Sequence, residues 1–236
     1  MIVRILVLLW FLASPAASAY TGTPWTSTGT CKQHGVVSFT FDDGVSKNAN
    51  HLLDILDREG IKAGFFIVGN TLYTEKRRVD LKNINDRGHL ILNHTYSHPD
   101  LTRLTPPKLL SELSRTESLV LKITGSILPR LIRPPFGKMD SRTYSILTDW
   151  GYSIVLWNLD SKDWEYSRAK KALWDVYARM FKDADPKTRS FLILQHDRRL
   201  DSIELIPDIA KLARSRGFKI VSFEECFGLG FQTKIY

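Results

Sequence analysis

The stretch VVSFTFDDG, residues 36–44, decides the fold. Its alternation of apolar and small polar residues predicts a β-strand that ends on two adjacent aspartates and a glycine. Neighbouring carboxylates at the end of a buried strand are unfavourable unless a positive group neutralises them, and a metal ion often does so. The carboxyl ends of strands form the active face of α/β folds. We therefore expect a functional site around Asp42 and Asp43.

Six further apolar runs have strand character, and segments with helical periodicity lie between several of them. The runs cover residues 64–70, 89–95, 131–137, 152–160, 190–197 and 218–226, and the clearest helical segments cover residues 49–60, 106–123 and 202–217. Alternating strands and helices predict a parallel sheet with helices packed outside it. Seven such units favour a closed or nearly closed barrel in a single domain over an open sheet.

The chain has 236 residues, 43% of them hydrophobic and 25% charged, which is an ordinary globular composition. Residues 1–19 contain Arg4, an apolar run and the small-residue pattern Ala17-Ser18-Ala19, as a secretory signal peptide does. An uncleaved N-terminal anchor is the alternative. A Thr/Gly/Ser-rich leader follows at residues 20–30, and we expect it to be flexible. No second apolar segment approaches the length of a membrane span.

The chain has a formal charge of +8 and two cysteines. The basic residues are scattered, which favours solvated surfaces over a nucleic-acid interface. If the protein is exported, Cys31 and Cys226 most simply form one disulfide that joins the two ends of the domain. Two free buried thiols are the alternative.

The stretch NHTYSHP, residues 93–99, supplies candidate metal ligands. His94 and His98 have an i, i+4 spacing, so both imidazoles share a face if the segment makes a helical turn, which Pro99 would end. This spacing is a weak signal by itself, but with an aspartate at another strand end it predicts a His-His-Asp site with an open coordination position. The carboxylate that does not bind the metal is then free to act as a general base.

Polar or aromatic residues also follow three later strands. These residues are Arg133, Asp160, Asp163, Trp164 and His196. Taken singly, each has an ordinary structural explanation, such as a surface ion pair, a loop cap, a core aromatic or a buried histidine. Their joint occurrence at successive strand ends favours a functional role.

The ordered motifs TFDDG, HTYSHP, RPPFG, DSKDW and LILQH resemble the five motifs of the polysaccharide deacetylase family, carbohydrate esterase family 4 with its NodB homology domain. The similarity covers about residues 36–226 and places a catalytic domain at residues 31–230. It implies a distorted (β/α)7 barrel and a divalent metal, usually Zn²⁺ but also another ion such as Co²⁺. The implied reaction removes acetyl groups from N-acetylglucosamine polymers or from acetylated xylan.

The resemblance also implies roles for single residues. Asp43, His94 and His98 bind the metal, and Asp42 takes a proton from the attacking water. The oxyanion contacts the metal and the backbone N–H of Phe136. His196 protonates the departing amine.

The remaining motif residues support these groups. Asp163 holds His196 in its cationic form, and Arg133 orients Asp42. Trp164 and Leu194 enclose the acetyl methyl, while Thr95 braces the histidine loop. Asp160 is expected to be structural.

One departure from the family pattern is Val45, which replaces a usual proline and is expected to loosen the loop. The sequon Asn93-His94-Thr95 lies within the metal motif, and we expect it to be unglycosylated because a glycan would obstruct the site.

The phrase VLWNLDSKDW, the cysteine pair and the single domain are most like fungal-type chitin deacetylases. They favour chitin or chitooligosaccharides as substrate, with peptidoglycan N-acetylglucosamine and acetylxylan as alternatives. A non-catalytic polysaccharide-binding protein of a cell wall or spore coat is the alternative of another class. We expect a secreted monomer, with no nucleic-acid partner and no membrane span after signal removal, free or associated with a wall or spore coat.

Overall fold

The structure is a computed structural model that describes residues 26–27, 29–166 and 169–229. The expected signal peptide and most of the expected leader lie outside these residues. Within them, no helix combines the length and apolar character that crossing a membrane requires.

Strands and helices alternate along most of the described chain. The strands are β1 (Thr26–Ser27), β2 (Val36–Gly44), β3 (Gly64–Ile67), β4 (Leu90–Asn93), β5 (Leu131–Ile132), β6 (Ser153–Val155), β7 (Leu159–Asp160), β8 (Phe191–His196) and β9 (Lys219–Ile220). The helices are α1 (Ala49–Glu59), α2 (Glu75–Asp86), α3 (Pro106–Thr124), α4 (Ser141–Asp149), α5 (Lys170–Lys182), α6 (Leu200–Glu204), α7 (Ile206–Ser215) and α8 (Phe223–Phe227).

All strand pairs of the described sheet are parallel, in the order β1-β6-β5-β4-β3-β2-β8-β7, with β9 also paired to β2. No ladder of the described residues joins β7 to β1, so the curled sheet stays open there. This architecture confirms the predicted distorted (β/α)7 barrel in a single domain. Since all the paired strands are parallel, their carboxyl ends meet at one rim.

The central strand β2 divides its side chains between the two faces of the sheet. Val37, Phe39 and Phe41 are fully buried in the main hydrophobic cluster, together with apolar residues of α1. The intervening Thr40 is also fully buried and contacts Arg133 inside the barrel. The two-residue period of a strand therefore directs the next inward residue, Asp42, to the interior at the rim.

Several predicted elements differ from those observed. The run at residues 152–160 forms two short strands, and the run at residues 218–226 forms only the short β9 before α8 begins at Phe223, where Ser222 caps the helix. The single helix predicted at residues 202–217 is divided into α6 and α7. Leu205 separates the two helices, and Pro207 lies in the first turn of α7. Residues 71–83 and 167–189, which are not among the clear helical segments of the sequence, contain most of α2 and all of α5. Thr26–Ser27 of the expected flexible leader forms β1 beside β6.

A disulfide joins the two ends of the domain. Cys31 and Cys226 are buried and bonded, with Cα atoms 4.7 Å apart and a separation of 195 positions along the chain. This pairing confirms the predicted bridge and excludes two free thiols. In the chain-entropy model a loop of this size stabilises the fold by about 5 kcal/mol.

Candidate active site

A β-bulge at the end of β2 brings both aspartates to the same place. The register against β3 shifts between Asp42 and Gly44, and Asp43 has a φ of 66°. In a regular strand these neighbours would point to opposite faces, but the bulge re-aims the second carboxylate. As a result Asp42 Oδ2 and Asp43 Oδ1 lie 3.7 Å and 3.5 Å from the same atom, His94 Nε2.

The following glycine is required by packing. A Cβ at Gly44 would lie 2.8 Å from the buried Asp197 carboxylate. The next residue, Val45, is buried and donates its backbone N–H to Thr71 Oγ1 at 2.9 Å. A proline at this position has no N–H and could not donate this bond. Val45, which was expected to loosen the loop, therefore helps to anchor it.

The two histidines converge, although residues 94–98 do not form the expected helical turn. Thr95 and His98 have left-handed φ values of 69° and 59°. The Thr95 hydroxyl accepts the His98 N–H at 3.1 Å, and the fully buried Thr95 therefore braces the loop as expected. The imidazole centroids lie 5.0 Å apart, so the approach comes from a strained loop and not from helical periodicity.

Asp43, His94 and His98 form a site suited to a divalent cation. Their ligand atoms all lie within 4.8 Å of one another. Asp43 Oδ1 is buried and accepts no hydrogen bond, although His98 Nε2 is 3.2 Å away. Burial alone would raise the pKa of Asp43, but His94 and the charges of His196 and His98 lower it well below its ordinary value. Burial, together with the charge of His94, lowers the pKa of His98, which favours the neutral imidazole that binds metals.

The tautomer of His94 follows from its partner. Its Nδ1 lies 2.7 Å from the backbone carbonyl oxygen of Arg133, which only accepts hydrogen bonds. Nδ1 therefore carries the proton, and Nε2 presents its lone pair toward Asp43. This orienting bond is typical of metal-binding histidines.

Asp42 is paired with a fully buried arginine. Arg133 Nη1 lies 2.5 Å from Asp42 Oδ1 and 2.9 Å from Thr40 Oγ1, and its other nitrogens donate to the carbonyls of Val155 and Leu156. Burial lowers the pKa of Arg133, an effect that the adjacent charge of Asp42 opposes. The guanidinium fixes one carboxylate oxygen and leaves Oδ2 directed toward His94.

The second acid–base pair comes from β8 and the loop after β7. His196 Nδ1 lies 2.6 Å from Asp163 Oδ1, and the His196 backbone N–H donates to Asp163 Oδ2 at 2.8 Å. Burial lowers the pKa of His196, but the hydrogen bond and charge of Asp163, with smaller contributions from Asp42 and Asp43, raise it to about 9. Since Asp42 and His196 are register partners in adjacent strands, the two pairs lie side by side.

These groups surround one cleft of about 410 Å³. It is lined by Asp42, Asp43, His94, His98, Pro134, Phe136, Trp157, Asp160, Trp164, Leu194 and His196. Arg133 and Asp163 lie behind this lining and are fully buried. The structure therefore brings together every site residue expected from the sequence.

The cleft has two exposed aromatic walls. Phe136, 61% exposed, has a φ of 62° and packs its ring edge-on against His98 at 4.6 Å. Among the described residues no backbone carbonyl accepts the Phe136 N–H. Trp164 is 50% exposed, and its indole N–H donates to Asp160 Oδ1 at 3.3 Å, which gives Asp160 the expected structural role.

Backbone strain is concentrated at this rim. Within the described residues, all five non-glycine residues with left-handed φ values lie in the strand-end loops, namely Asp43, Thr95, His98, Phe136 and Lys162. Such conformations cost about 1–3 kcal/mol each and persist where surrounding contacts impose them. Their clustering distinguishes the functional rim from the rest of the barrel.

Sequence reasoning missed residues outside the motifs that hold these loops. Glu112 of α3 accepts the backbone N–H groups of Tyr96 and Ser97 at 2.9 Å and 2.7 Å, and the Ser97 hydroxyl at 2.8 Å. Trp157 lies against Gly137, where a Cβ would approach its ring to 2.9 Å. Neither residue has a sequence signal of its own, because each acts across the fold.

Asn93 of the sequon is fully buried. Its side chain donates to the Leu113 carbonyl at 3.2 Å and to Glu117 at 3.3 Å, and it accepts the Thr95 N–H at 2.9 Å. Both the amide nitrogen and the amide oxygen are therefore engaged within the protein. An unglycosylated Asn93 remains our prediction, and this burial supports it.

Comparison with known proteins agrees with the fold and the motifs. The model of the polysaccharide deacetylase family matches residues 29–155. A chitin deacetylase of Colletotrichum lindemuthianum is 31% identical over 92% of this chain and 88% of its own. A peptidoglycan-N-acetylglucosamine deacetylase of Bacillus cereus is 29% identical over 84% of this chain and 70% of its own. The solved structure of the Colletotrichum lindemuthianum enzyme superimposes with a TM-score of 0.80 at 27% identity, over 87% of this chain and 92% of that one.

The family match covers more than half of the chain and includes three strand-end motifs, while the Colletotrichum relative extends the similarity over nearly all of it. The chain belongs to the polysaccharide deacetylase family.

Proposed function

We propose that this protein is a secreted, metal-dependent deacetylase that hydrolyses the N-acetyl groups of N-acetylglucosamine units in chitin or chitooligosaccharides and releases acetate. One observation carries the proposal: the Asp43-His94-His98 site, the Asp42-Arg133 pair and the His196-Asp163 pair adjoin a single cleft. A family relationship to a chitin deacetylase supports the choice of substrate.

Asp43, His94 and His98 are the residues that would hold the metal, with zinc as the proposed ion. A divalent cation bound there supplies Lewis acidity to the reacting water and to the acetyl carbonyl. His2Asp ligands also suit other first-row metals such as cobalt.

Asp42 is the proposed general base. Arg133 holds its Oδ1, so Oδ2 is the oxygen that takes a proton from water as the water oxygen bonds to the amide carbon. The backbone N–H of Phe136 is the proposed donor to the carbonyl oxygen as negative charge develops on it.

His196 is the proposed general acid. Asp163 engages Nδ1, which leaves Nε2 to deliver a proton to the amide nitrogen as the carbon–nitrogen bond breaks. An amine leaves only when protonated, and the raised pKa of His196 keeps the imidazole charged at neutral pH. A charged acid at this position meets the requirement of an N-acetyl group, since an amide anion leaves far less readily than an alkoxide.

Trp164 and the buried Leu194 are proposed to contact the acetyl methyl, since both line the cleft beside His196. The buried disulfide is consistent with an oxidising, extracellular location. The proposal includes association with a cell wall or spore coat, because such polymers occur there.

The test is acetate release from N-acetylated chitooligosaccharides and from acetylxylan by protein that has been chelated and then reloaded with zinc or cobalt. We expect metal-dependent release from the chitooligosaccharides, abolished by His98→Gln and retained by Asp175→Asn, which alters an exposed carboxylate on α5. Equal release from chelated and zinc-loaded protein would refute the metal dependence. Release from acetylxylan alone would refute the substrate assignment.

A further inference from the structure

A second groove adjoins the catalytic cleft. It has a volume of about 680 Å³, and its lining includes Lys47, Asn48, Asn70, Tyr73, Arg77 and Arg198. The groove lies next to the cleft, because Asp43 and His196 of the cleft are followed two residues later by Val45 and Arg198 of the groove. Arg198 Nη2 donates to the Asp43 backbone carbonyl at 2.9 Å from the groove side.

The groove is lined by positive charges alone, whereas the cleft contains both aspartates and histidines. Three cationic side chains line it and no carboxylate does, whereas three aspartates line the cleft. Such a local excess of one sign attracts an oppositely charged ligand.

The three cations are poorly neutralised by the protein. Among the described residues, no carboxylate lies within 4.0 Å of the exposed Lys47 ammonium. Arg198 is 53% exposed in its side chain, and its nearest carboxylate oxygen, on Asp43, is 4.0 Å away.

Arg77 has a donor that no group satisfies. Its Nη1 is buried and makes no hydrogen bond, and the Asp80 carboxylate lies 3.7 Å away. Asp80 is already engaged by Lys76 at 3.2 Å and by the Asn50 amide at 2.8 Å. A buried donor without a partner is unfavourable, so the protein leaves the guanidinium of Arg77 incompletely satisfied beside the groove.

The groove also has features that suit a sugar ring. Tyr73 is 77% exposed, which makes it the most exposed large apolar side chain among the described residues. An exposed aromatic face packs against the apolar face of a pyranose, and nearby amides such as Asn70 bond to hydroxyls.

We propose that this groove is a subsite for a carboxylate-bearing sugar that neighbours the N-acetylglucosamine unit in the cleft, with Lys47, Arg77 and Arg198 binding the carboxylate. The inference rests on the proposed deacetylase function and extends its substrates from chitin to polymers in which an acidic sugar neighbours N-acetylglucosamine. An uncharged chitooligosaccharide occupies the same cleft but makes no ion pair in the groove. Uronic acids and lactyl ethers of sugars both carry such a carboxylate, and either would form the same ion pairs in the groove.

The test compares tetrasaccharides of equal length on the zinc-loaded protein. The probes are chitotetraose, an alternating N-acetylglucosamine–glucuronate oligomer, and an alternating oligomer of N-acetylglucosamine with its 3-O-lactyl ether. The methyl esters of both acids serve as uncharged controls. We expect kcat/KM for at least one acid to exceed that for its ester by roughly threefold to tenfold, as exposed ion pairs allow, and to fall as salt is raised.

The double variant Lys47→Gln/Arg77→Gln should reduce the acid-to-ester ratio to about one and leave chitotetraose turnover unchanged. Lys211→Gln, which removes a charge from α7, should retain the ratio. Lys47→Gln alone changes an exposed residue and should lower the ratio even if the double variant fails to fold. The larger ratio of the two acids identifies the source of the carboxylate.

A wild-type ratio near one for both acids, or a ratio that persists in the Lys47→Gln variant and in a folded double variant, would overturn the subsite. If the proposed deacetylase function is wrong, no probe will release acetate. The subsite is then tested by calorimetry, which compares the affinity of the protein for each acid with its affinity for the corresponding ester.

Discussion

Replacing Asp163 with asparagine should move the alkaline limit of activity to lower pH. Asparagine has nearly the same shape and still offers an oxygen to His196 Nδ1, which now bonds to Asp163 at 2.6 Å. It removes the negative charge that stabilises the imidazolium. The change therefore separates the electrostatic contribution of Asp163 from its contribution to orientation.

The magnitude follows from the pKa of His196. Asp163 is the main cause that raises this pKa from 6.5 to about 9, against the burial that lowers it. The difference corresponds to roughly 3 kcal/mol of interaction with the protonated form. Because burial persists without Asp163 and only the weaker charges of Asp42 and Asp43 oppose it, the pKa of His196 in the variant should fall toward 6.5. At pH 7.5 the protonated fraction then falls about tenfold.

The assay is kcat/KM for chitooligosaccharides against pH, with both proteins saturated with zinc. A bound cation lowers the pKa of His196 in both proteins, so the comparison between them is the informative quantity. We expect the alkaline limb of Asp163→Asn to lie about two pH units or more below that of the wild type. Asp175→Asn should show the wild-type profile. Coincident alkaline limbs for Asp163→Asn and wild type would refute the assignment of His196 as an acid held charged by Asp163.

Three further changes test the supporting structure. Arg133→Met should lower the free energy of unfolding by about 3–5 kcal/mol, because it leaves the buried Asp42 carboxylate without its partner. A free energy of unfolding close to that of the wild type, measured by denaturant titration, would contradict the pairing. Glu112→Gln should weaken zinc binding by roughly tenfold in calorimetric titration, because the carboxylate that holds the histidine loop loses its charge. An unaltered zinc affinity would show that the loop does not depend on the charge of Glu112. Cys31→Ser combined with Cys226→Ser should lower the free energy of unfolding by up to about 5 kcal/mol, and equal denaturation midpoints would contradict the role of the bridge.

The strands near the site were predictable because their sequences combine apolar character with chemical groups at their ends. VVSFTFDDG forms β2 with its two aspartates at the rim, as its pattern predicts. FKIVSFEEC has a similar apolar content but forms only the two-residue β9 before α8 begins, since the Ser222 side chain accepts the Glu225 N–H and caps a helix there. Local capping chemistry outweighed the strand pattern at that position.

The site residues were predictable as a set, whereas the geometry that unites them was not. The i, i+4 spacing of His94 and His98 suggested a helical turn, but the loop converges through left-handed residues held by Glu112 and Asn93. The Glu112 contacts join residues 15 and 16 positions apart and leave no trace in local periodicity. The groove at Lys47 and Arg77 was likewise missed, since scattered basic residues in the sequence become neighbours only in the fold.

The most direct test concerns the two adjacent aspartates, because Asp42 is proposed as the general base and Asp43 as a metal ligand. It measures acetate release together with bound zinc in the same samples of wild type, Asp42→Asn and Asp43→Asn. We predict that Asp42→Asn retains one zinc per chain and loses turnover, whereas Asp43→Asn loses both zinc and turnover. Wild-type turnover by zinc-loaded Asp42→Asn, or full zinc retention by Asp43→Asn, would contradict the account.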